Sequence, residues 1–451
     1  MIATIIQMSA LLIAGGLLLI VTWRRPGWVI FVALSVAALL DLFQIGASGV
    51  NLGISFYIDD AACLLVLGTG LLALKRYPRN FSYDAVPCLA LMALVALSFG
   101  RGISPFGLKA AGNSSRNLFT FVAPVLAVML LRPVFQLDAG RLARWLGWAG
   151  FCLSGVALLR WGGVLPIPIE QEDNLREVVR SLNADYAFLV GLAFIAALYL
   201  PLVERRSAWW WMGASMLGTI TLALQHRSVW TATVVGLAWL VLRNARRVSP
   251  LRWLAIGAAG CVVLGVIVVA IPQTLEFADA IVATNAREVE SKHSTWAWRV
   301  GGDDEAITRL LGSDSLDMLV GPPAGWATNT DASSAEKFIH SRYISTLANY
   351  GLVGFAVLLI WFGMFTKTIG SAAQLHRRKP SRNRPGTTFL EALFLSELVY
   401  MVPYNGGILE AAVLGLIWVA AKQNAIPIFA RRLAYARNQF DRKNIPATLA
   451  T

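Results

Sequence analysis

Apolar residues in this chain gather into long unbroken runs instead of alternating with polar ones at strand or amphipathic-helix period. "TIIQMSALLIAGGLLLIVT" (4–22) sets the pattern, and about 20 such residues are what an α-helix needs to cross the hydrocarbon of a bilayer. Comparable runs recur at 27–45, 58–74, 85–100, 116–132, 144–165, 184–203, 208–225, 229–243, 253–272, 343–366, 388–403 and 406–421. With the first run, 3–22, these predict an all-α polytopic membrane protein of about 12–13 transmembrane helices, the closely spaced pair at 208–225 and 229–243 leaving the count open by one. The chain divides into spans over 1–271, a long loop over 272–342, three further spans over 343–421, and a basic tail over 422–451.

Composition agrees. Of 451 residues, 57% are hydrophobic and 14% charged, against roughly 25% charged in soluble domains. The first run is long enough to span and no small-residue cleavage site follows it, so it is expected to be retained. Cys63, Cys88, Cys152 and Cys261 fall separately inside apolar runs and read as packing residues, with no disulfide or metal set expected.

Charge placement predicts orientation. Alternate loops ("WRRPG", "KRYPR", "LRPVFQLDAGRLAR", "ERR", "RNARR", "HRRKPSRNRP") and the tail, with Arg252, Lys367 and Lys422 beside them, hold 26 of the 39 Lys and Arg. By the positive-inside rule that side is cytoplasmic, with the C-terminus inside and the N-terminus outside. The net charge of +13 sits largely there, facing anionic lipid.

Three segments are left for the outer face: 100–117, 167–187 and the loop from about 272 to 342. The last is too long for a connector. It carries Trp296, Trp298 and Trp326 and the amphipathic "DDEAITRLLGSDSLDMLVG", read as a small helical cap with "GGDDE" at a helix N-terminus.

No GxGxxG, GxxxxGK[ST], HExxH or CxxC pattern is present, so nucleotide-dependent chemistry has no visible machinery and a reaction here would need a preactivated substrate. The outer face offers Arg227 in "LQHRSVW", Arg299 in "STWAWRVGG", and His340 with Arg342 in "FIHSRYISTLANYGLVG". Guanidinium groups grip phosphate oxygens in bidentate fashion, and an imidazole near neutrality can take a proton from a hydroxyl. The plain alternatives stay open: a headgroup contact for Arg227, stacking on Trp296 or Trp298 for Arg299, and a helix cap for His340. His226, His293 and His376 take the plain reading.

In combination, His340-Ser341, nine residues, then Gly351-x-x-Gly354 resembles the signature of the O-antigen ligase and polymerase superfamily of membrane glycosyltransferases. "HRSVWTATVVGLAWLVL" looks like that family's arginine at the outer start of a span. "WRVGGDDEAITRLLGSDSLDMLVGPPAGW" is similar to its loop, ending in a Leu-x-Gly-x-x-x-Gly turn at Leu319, Gly321 and Gly325. The likeness covers roughly residues 205–366.

The resemblance implies a GT-C-like arrangement with a helical periplasmic insert in a bacterial inner membrane, with no cofactor and no metal. It implies an undecaprenyl-diphosphate-linked glycan as donor and a sugar hydroxyl as acceptor, on another lipid-linked glycan (polymerase) or on lipid A-core (ligase). Arg227 and Arg299 would hold the diphosphate and His340 would act as base. Arg342, Arg116 and Lys109 are auxiliary candidates on the same face; Gly351 and Gly354 are expected to serve helix packing. Membrane lipid is an expected partner and nucleic acid is not. A secondary transporter is the alternative of another class, with Asp41, Glu391, Glu397 and Glu410 as its intramembrane ionisable residues. A structural partner of a glycan export complex is a third possibility.

Overall fold

A computed structural model of the chain describes residues 26–43, 50–51, 55–76, 82–132, 135, 137–166, 181–204, 208–244, 295–326, 339, 341–378 and 384–424. The predicted spans at 3–22 and 253–272, the tail beyond 424, and His340 lie outside the described residues.

The helices are α1 (Pro26–Leu42), α2 (Ile58–Arg76), α3 (Val86–Leu130), α4 (Ala139–Trp161), α5 (Ala184–Val203), α6 (Ala208–Ala223), α7 (Arg227–Asn244), α8 (Thr295–Leu311), α9 (Ser315–Val320), α10 (Arg342–Arg378), α11 (Arg384–Tyr400) and α12 (Ile408–Asn424). One short antiparallel hairpin, β1 (Val50–Asn51) with β2 (Ser55–Phe56), precedes α2 and pairs Val50 with Phe56. Among the described residues four helical stretches are long and apolar enough to cross a membrane: Tyr83–Leu130, Ala139–Trp161, Ala184–Val203 and Arg342–Ser371. α1 is a shorter apolar helix. Two starts are fixed by side-chain caps, Asp138 accepting from Arg141 N at 2.8 Å and Asn183 from Tyr186 N at 3.1 Å.

Two predicted boundaries need correction. The segment 100–117, expected as an outer loop, is helical on both sides of Gly107, whose φ of 82° and ψ of 163° break the helix. Cys88 Sγ lies 3.8 Å from Met129 Sδ. A straight helix would hold those residues about 60 Å apart, so α3 is a hairpin that reverses at Gly107. The polar composition of 101–115 reads as loop because these turns extend the two limbs beyond the apolar core.

The second correction concerns the predicted span at 343–366. Gly351, at φ 65° and ψ −168°, breaks α10. The rings of Tyr343 and Phe362 are 6.1 Å apart, where a straight helix would separate them by about 28 Å. Residues 342–350 therefore fold back along the helix that begins after Gly351, and only the limb from 352 onward continues as a long apolar helix.

Small residues set the bundle's spacing. A methyl on Gly191 would lie 2.3 Å from Thr233 Oγ1, and one on Gly236 2.1 Å from Ser396 Oγ and 2.8 Å from Ile195 Cδ1. Those two contacts run α5 and α7 parallel, their starts level at Asp185 and Arg227. Phe121, Phe188, Trp361 and Trp418 are among the largest fully buried side chains. α8 and α9 pack over α10 as a cap. α8 begins at Thr295, so the acidic group 303–305 lies inside the helix and not at its N-terminus; Glu305 there pairs with Arg309 one turn on.

Candidate functional site at the cap end of the bundle

The two glycine motifs meet. A methyl on Gly321 would sit 2.2 Å from Asn349 O, and one on Gly351 2.5 Å from Leu319 O and 2.6 Å from Gly321 N. The turn that closes α9 is thus seated on the reversal of α10, backbone on backbone. A third contact binds the same turn to α3: Ala324 N donates to Ser98 O at 3.0 Å, Ser98 Oγ donates to Pro322 O at 3.1 Å, and a methyl on Gly102 would lie 2.0 Å from Ala324 O. Arg101 completes the seam, donating through Nη1 to Gly321 O at 2.7 Å and through Nη2 to Asp317 Oδ1 at 2.5 Å. A charge-assisted bond of this kind contributes about 1.5–3 kcal/mol. Arg101→Ala is accordingly expected to speed hydrogen exchange at the Ala324 amide at least about tenfold, read by mass spectrometry, and unchanged exchange there would remove Arg101 from the seam.

Beneath the seam lies a cavity of about 280 Å³. Its wall combines Ser98 and Ser114 of α3, Arg309 of α8, Asp314 at the start of α9 and Asp317 within it, and Trp326, with Ile339, Asn349 and Tyr350 on the α10 side. Hydroxyl, carboxylate, guanidinium and amide groups beside an indole suit a polyhydroxylated ligand of about one sugar unit, at the lower edge of small-molecule pockets.

The sequence-predicted residues divide around this cavity. His340 is outside the described residues, but Ile339 lines the cavity and its carbonyl accepts from Asn405 Nδ2 at 2.8 Å, while Ser341 is buried. Arg227 opens α7, is exposed, and lies level with Asp185 at the same end of the bundle. Arg299 is placed by its backbone on α8, ten residues or about 15 Å along the axis from Arg309. Lys109 is exposed on the second limb of α3. Arg116 donates through Nε to both oxygens of Asp60, at 2.9 and 3.0 Å, under the ring of Tyr57.

Arg342 is 1% exposed. Its Nη1 donates to Asn117 O at 3.2 Å and Oδ1 at 3.1 Å, its Nη2 donates to Gly406 O at 3.1 Å, and its guanidinium lies 4.2 Å over Phe121. Its backbone N–H donates to Met401 O and Tyr404 O. The side chain ties α3, α10 and the α11–α12 loop together, its Nε alone lacking a hydrogen-bond partner among the described residues. Gly354 lies in the second limb of α10, where a methyl would meet Tyr350 Cβ at 2.4 Å across the fold-back.

Two further sets of residues converge at this end of the bundle, of which the sequence had singled out only Glu397 and Glu410, as ionisable residues of the transporter reading. Arg160, 4% exposed, donates to Ser181 O at 2.5 Å and to Leu42 O, joining the ends of α4 and α1 to the approach to α5. Asp185, Tyr400, Glu410 and Glu397 gather between α5, α11 and α12. No local spacing signals them, because they come from three helices more than 200 residues apart at the extremes.

The fold and its apolar helices define a helical membrane protein with a small helical cap. No protein-family model matches the chain, and a search of curated proteins finds no match.

Proposed function

We propose that the protein is a membrane glycosyltransferase that moves a glycan from an undecaprenyl-diphosphate donor to a sugar hydroxyl, polymerising O-antigen or exopolysaccharide repeat units at the periplasmic face of a bacterial inner membrane. The observation that carries this reading is the seating of Gly321 on Gly351 at the rim of one polar cavity. The motif segments that resemble the ligase and polymerase superfamily are thereby neighbours in space as well as in spacing. Arg227 and Arg299 would hold the diphosphate by bidentate hydrogen bonds, and His340 would take the proton of the attacking hydroxyl. The anomeric carbon–oxygen bond to the diphosphate breaks as the new glycosidic bond forms, and the lipid diphosphate leaves. Ligation onto lipid A-core is the same chemistry with a different acceptor.

The test is chain-length analysis of surface glycan in a deletion strain complemented with wild type or His340→Ala at matched abundance. Loss of long glycan with accumulation of lipid-linked units is expected. Full activity of the alanine variant would remove His340 from the mechanism, and full activity of Arg227→Lys would remove the bidentate argument.

Secondary transport, the second reading, is favoured by the fully buried Glu397 and Glu410. It predicts solute uptake into proteoliposomes and wild-type glycan lengths in the His340→Ala strain.

A further inference from the structure

At the cap end, three carboxyl groups lie in sequence between α5, α11 and the 401–407 loop. Asp185 is only half-buried, Oδ1 accepting from Tyr400 Oη at 2.6 Å. Its Oδ2 lies 2.7 Å from the point where a Cβ of Gly407 would stand, and Glu410 Oε2 lies 2.9 Å from that same point. Glu410 is completely buried; its Oε2 accepts from Gly407 N at 2.8 Å, and its Oε1 has no hydrogen-bond partner among the described residues. Deeper by about one turn of α11, Glu397 is also completely buried, both of its oxygens lack a hydrogen-bond partner among the described residues, and it lies within electrostatic range of Glu410 and Asp185.

Positive charge is short here. Among the described residues Arg342 is the cation that acts on Asp185 and Glu410, and its Nη groups donate to the carbonyls of Asn117 and Gly406 and the amide oxygen of Asn117, not to a carboxylate. One guanidinium balances at most one of the three acids. Around the cluster, Tyr400 and Tyr404 are stacked at 5.0 Å, Tyr186 donates to Asp41 Oδ2 at 2.8 Å, and Asp59 adds a further acid from α2; of the cations further out, Arg116 is paired with Asp60 and Arg160 donates to the Ser181 and Leu42 carbonyls. A bare carboxylate without donors in such a place costs several kcal/mol. A small cation removes that cost. Among the described residues no group of three or more His, Cys, Asp or Glu is spaced to hold a metal ion, and the smallest cation that meets an unpartnered carboxylate is the proton.

We propose that Asp185, Glu410 and Glu397 form a proton-binding chain at the cap end of the bundle, filling through partly exposed Asp185 and storing protons on the two buried glutamates. The inference does not depend on the glycosyltransferase reading; a proton chain would serve either a transporter or an enzyme whose conformation answers to acidity on that side.

Infrared difference spectroscopy of the full chain in proteoliposomes tests it. Across about pH 5 to 9 the protonated-carboxyl band is expected to fall about tenfold for each pH unit beyond its midpoint. That titrating band is expected to lose intensity in Glu397→Gln and in Glu410→Gln. A band that stays constant over this range in the wild type means sealed, permanently protonated side chains and overturns the proposal, whatever the variants do. A titrating band that persists unchanged in both variants overturns it too. As an independent arm, dicyclohexylcarbodiimide should modify Glu397 or Glu410, with labelling reduced by raising the pH and indifferent to exchanging choline chloride for sodium chloride. Protection by sodium would reassign the site to a metal cation and overturn the proton assignment.

Discussion

Replacing Gly351 with alanine is expected to destabilise the protein by about 4 kcal/mol, enough to undock the cap. Two costs add. The residue's φ of 65° with ψ of −168° belongs to a region open almost only to glycine, worth about 1–3 kcal/mol for a residue with a side chain. The new methyl also meets Leu319 O at 2.5 Å and Gly321 N at 2.6 Å, backbone atoms that cannot rotate aside, and such overpacking costs about 1–3 kcal/mol more. Two other glycines separate these contributions. Gly107 shares the unusual backbone, at φ 82°, but has nothing within 4 Å of an added methyl, so Gly107→Ala should show the conformational cost alone. Gly363 lies in helical α10 with open space around it, and alanine there should be neutral or stabilising by up to about 1 kcal/mol. Unfolding midpoints of the three variants in one detergent make the comparison. Equal midpoints for Gly351→Ala and Gly107→Ala would show that the cap does not press on the reversal of α10.

The second large effect is expected at Arg342. Leucine in its place strands Asn117 Oδ1 and the Gly406 carbonyl in the bundle and strips the one guanidinium from beside Asp185 and Glu410. Removing one member of a buried polar set costs about 3–5 kcal/mol. Lysine should recover only part of this, because one ammonium group cannot span acceptors held apart on α3 and the α11–α12 loop. Wild-type unfolding of Arg342→Leu would mean that those acceptors are satisfied in another way.

Much of the fold could be read from the sequence because a membrane demands one thing of a helix, an apolar surface about 30 Å long. Runs such as 184–203 and 406–421 state it openly, and α5 and α12 lie close to those limits. The hairpin at Gly107 could not be read, since the polar residues 101–115 look the same whether they form a loop or two helical extensions. The fold-back at Gly351 hid for the opposite reason: residues 343–350 are apolar enough to pass for the first turns of a span. At the cavity, the glycine spacings pointed to the right segments, but their contact joins residues 30 apart and could only be inferred by resemblance. The acidic chain was dispersed at 185, 397 and 410, each position individually ordinary. Arg342 showed only its identity; the acceptors that enclose it come from Asn117 and Gly406, far off in the chain.

Where Gly102, Gly321 and Gly351 touch their neighbours, the molecule already uses the smallest residue the genetic code offers. No substitution can make more room there, so mutational drift at these three positions runs one way, toward loosening. Any variant that keeps the cap seated must either leave them alone or shift whole segments of main chain to compensate.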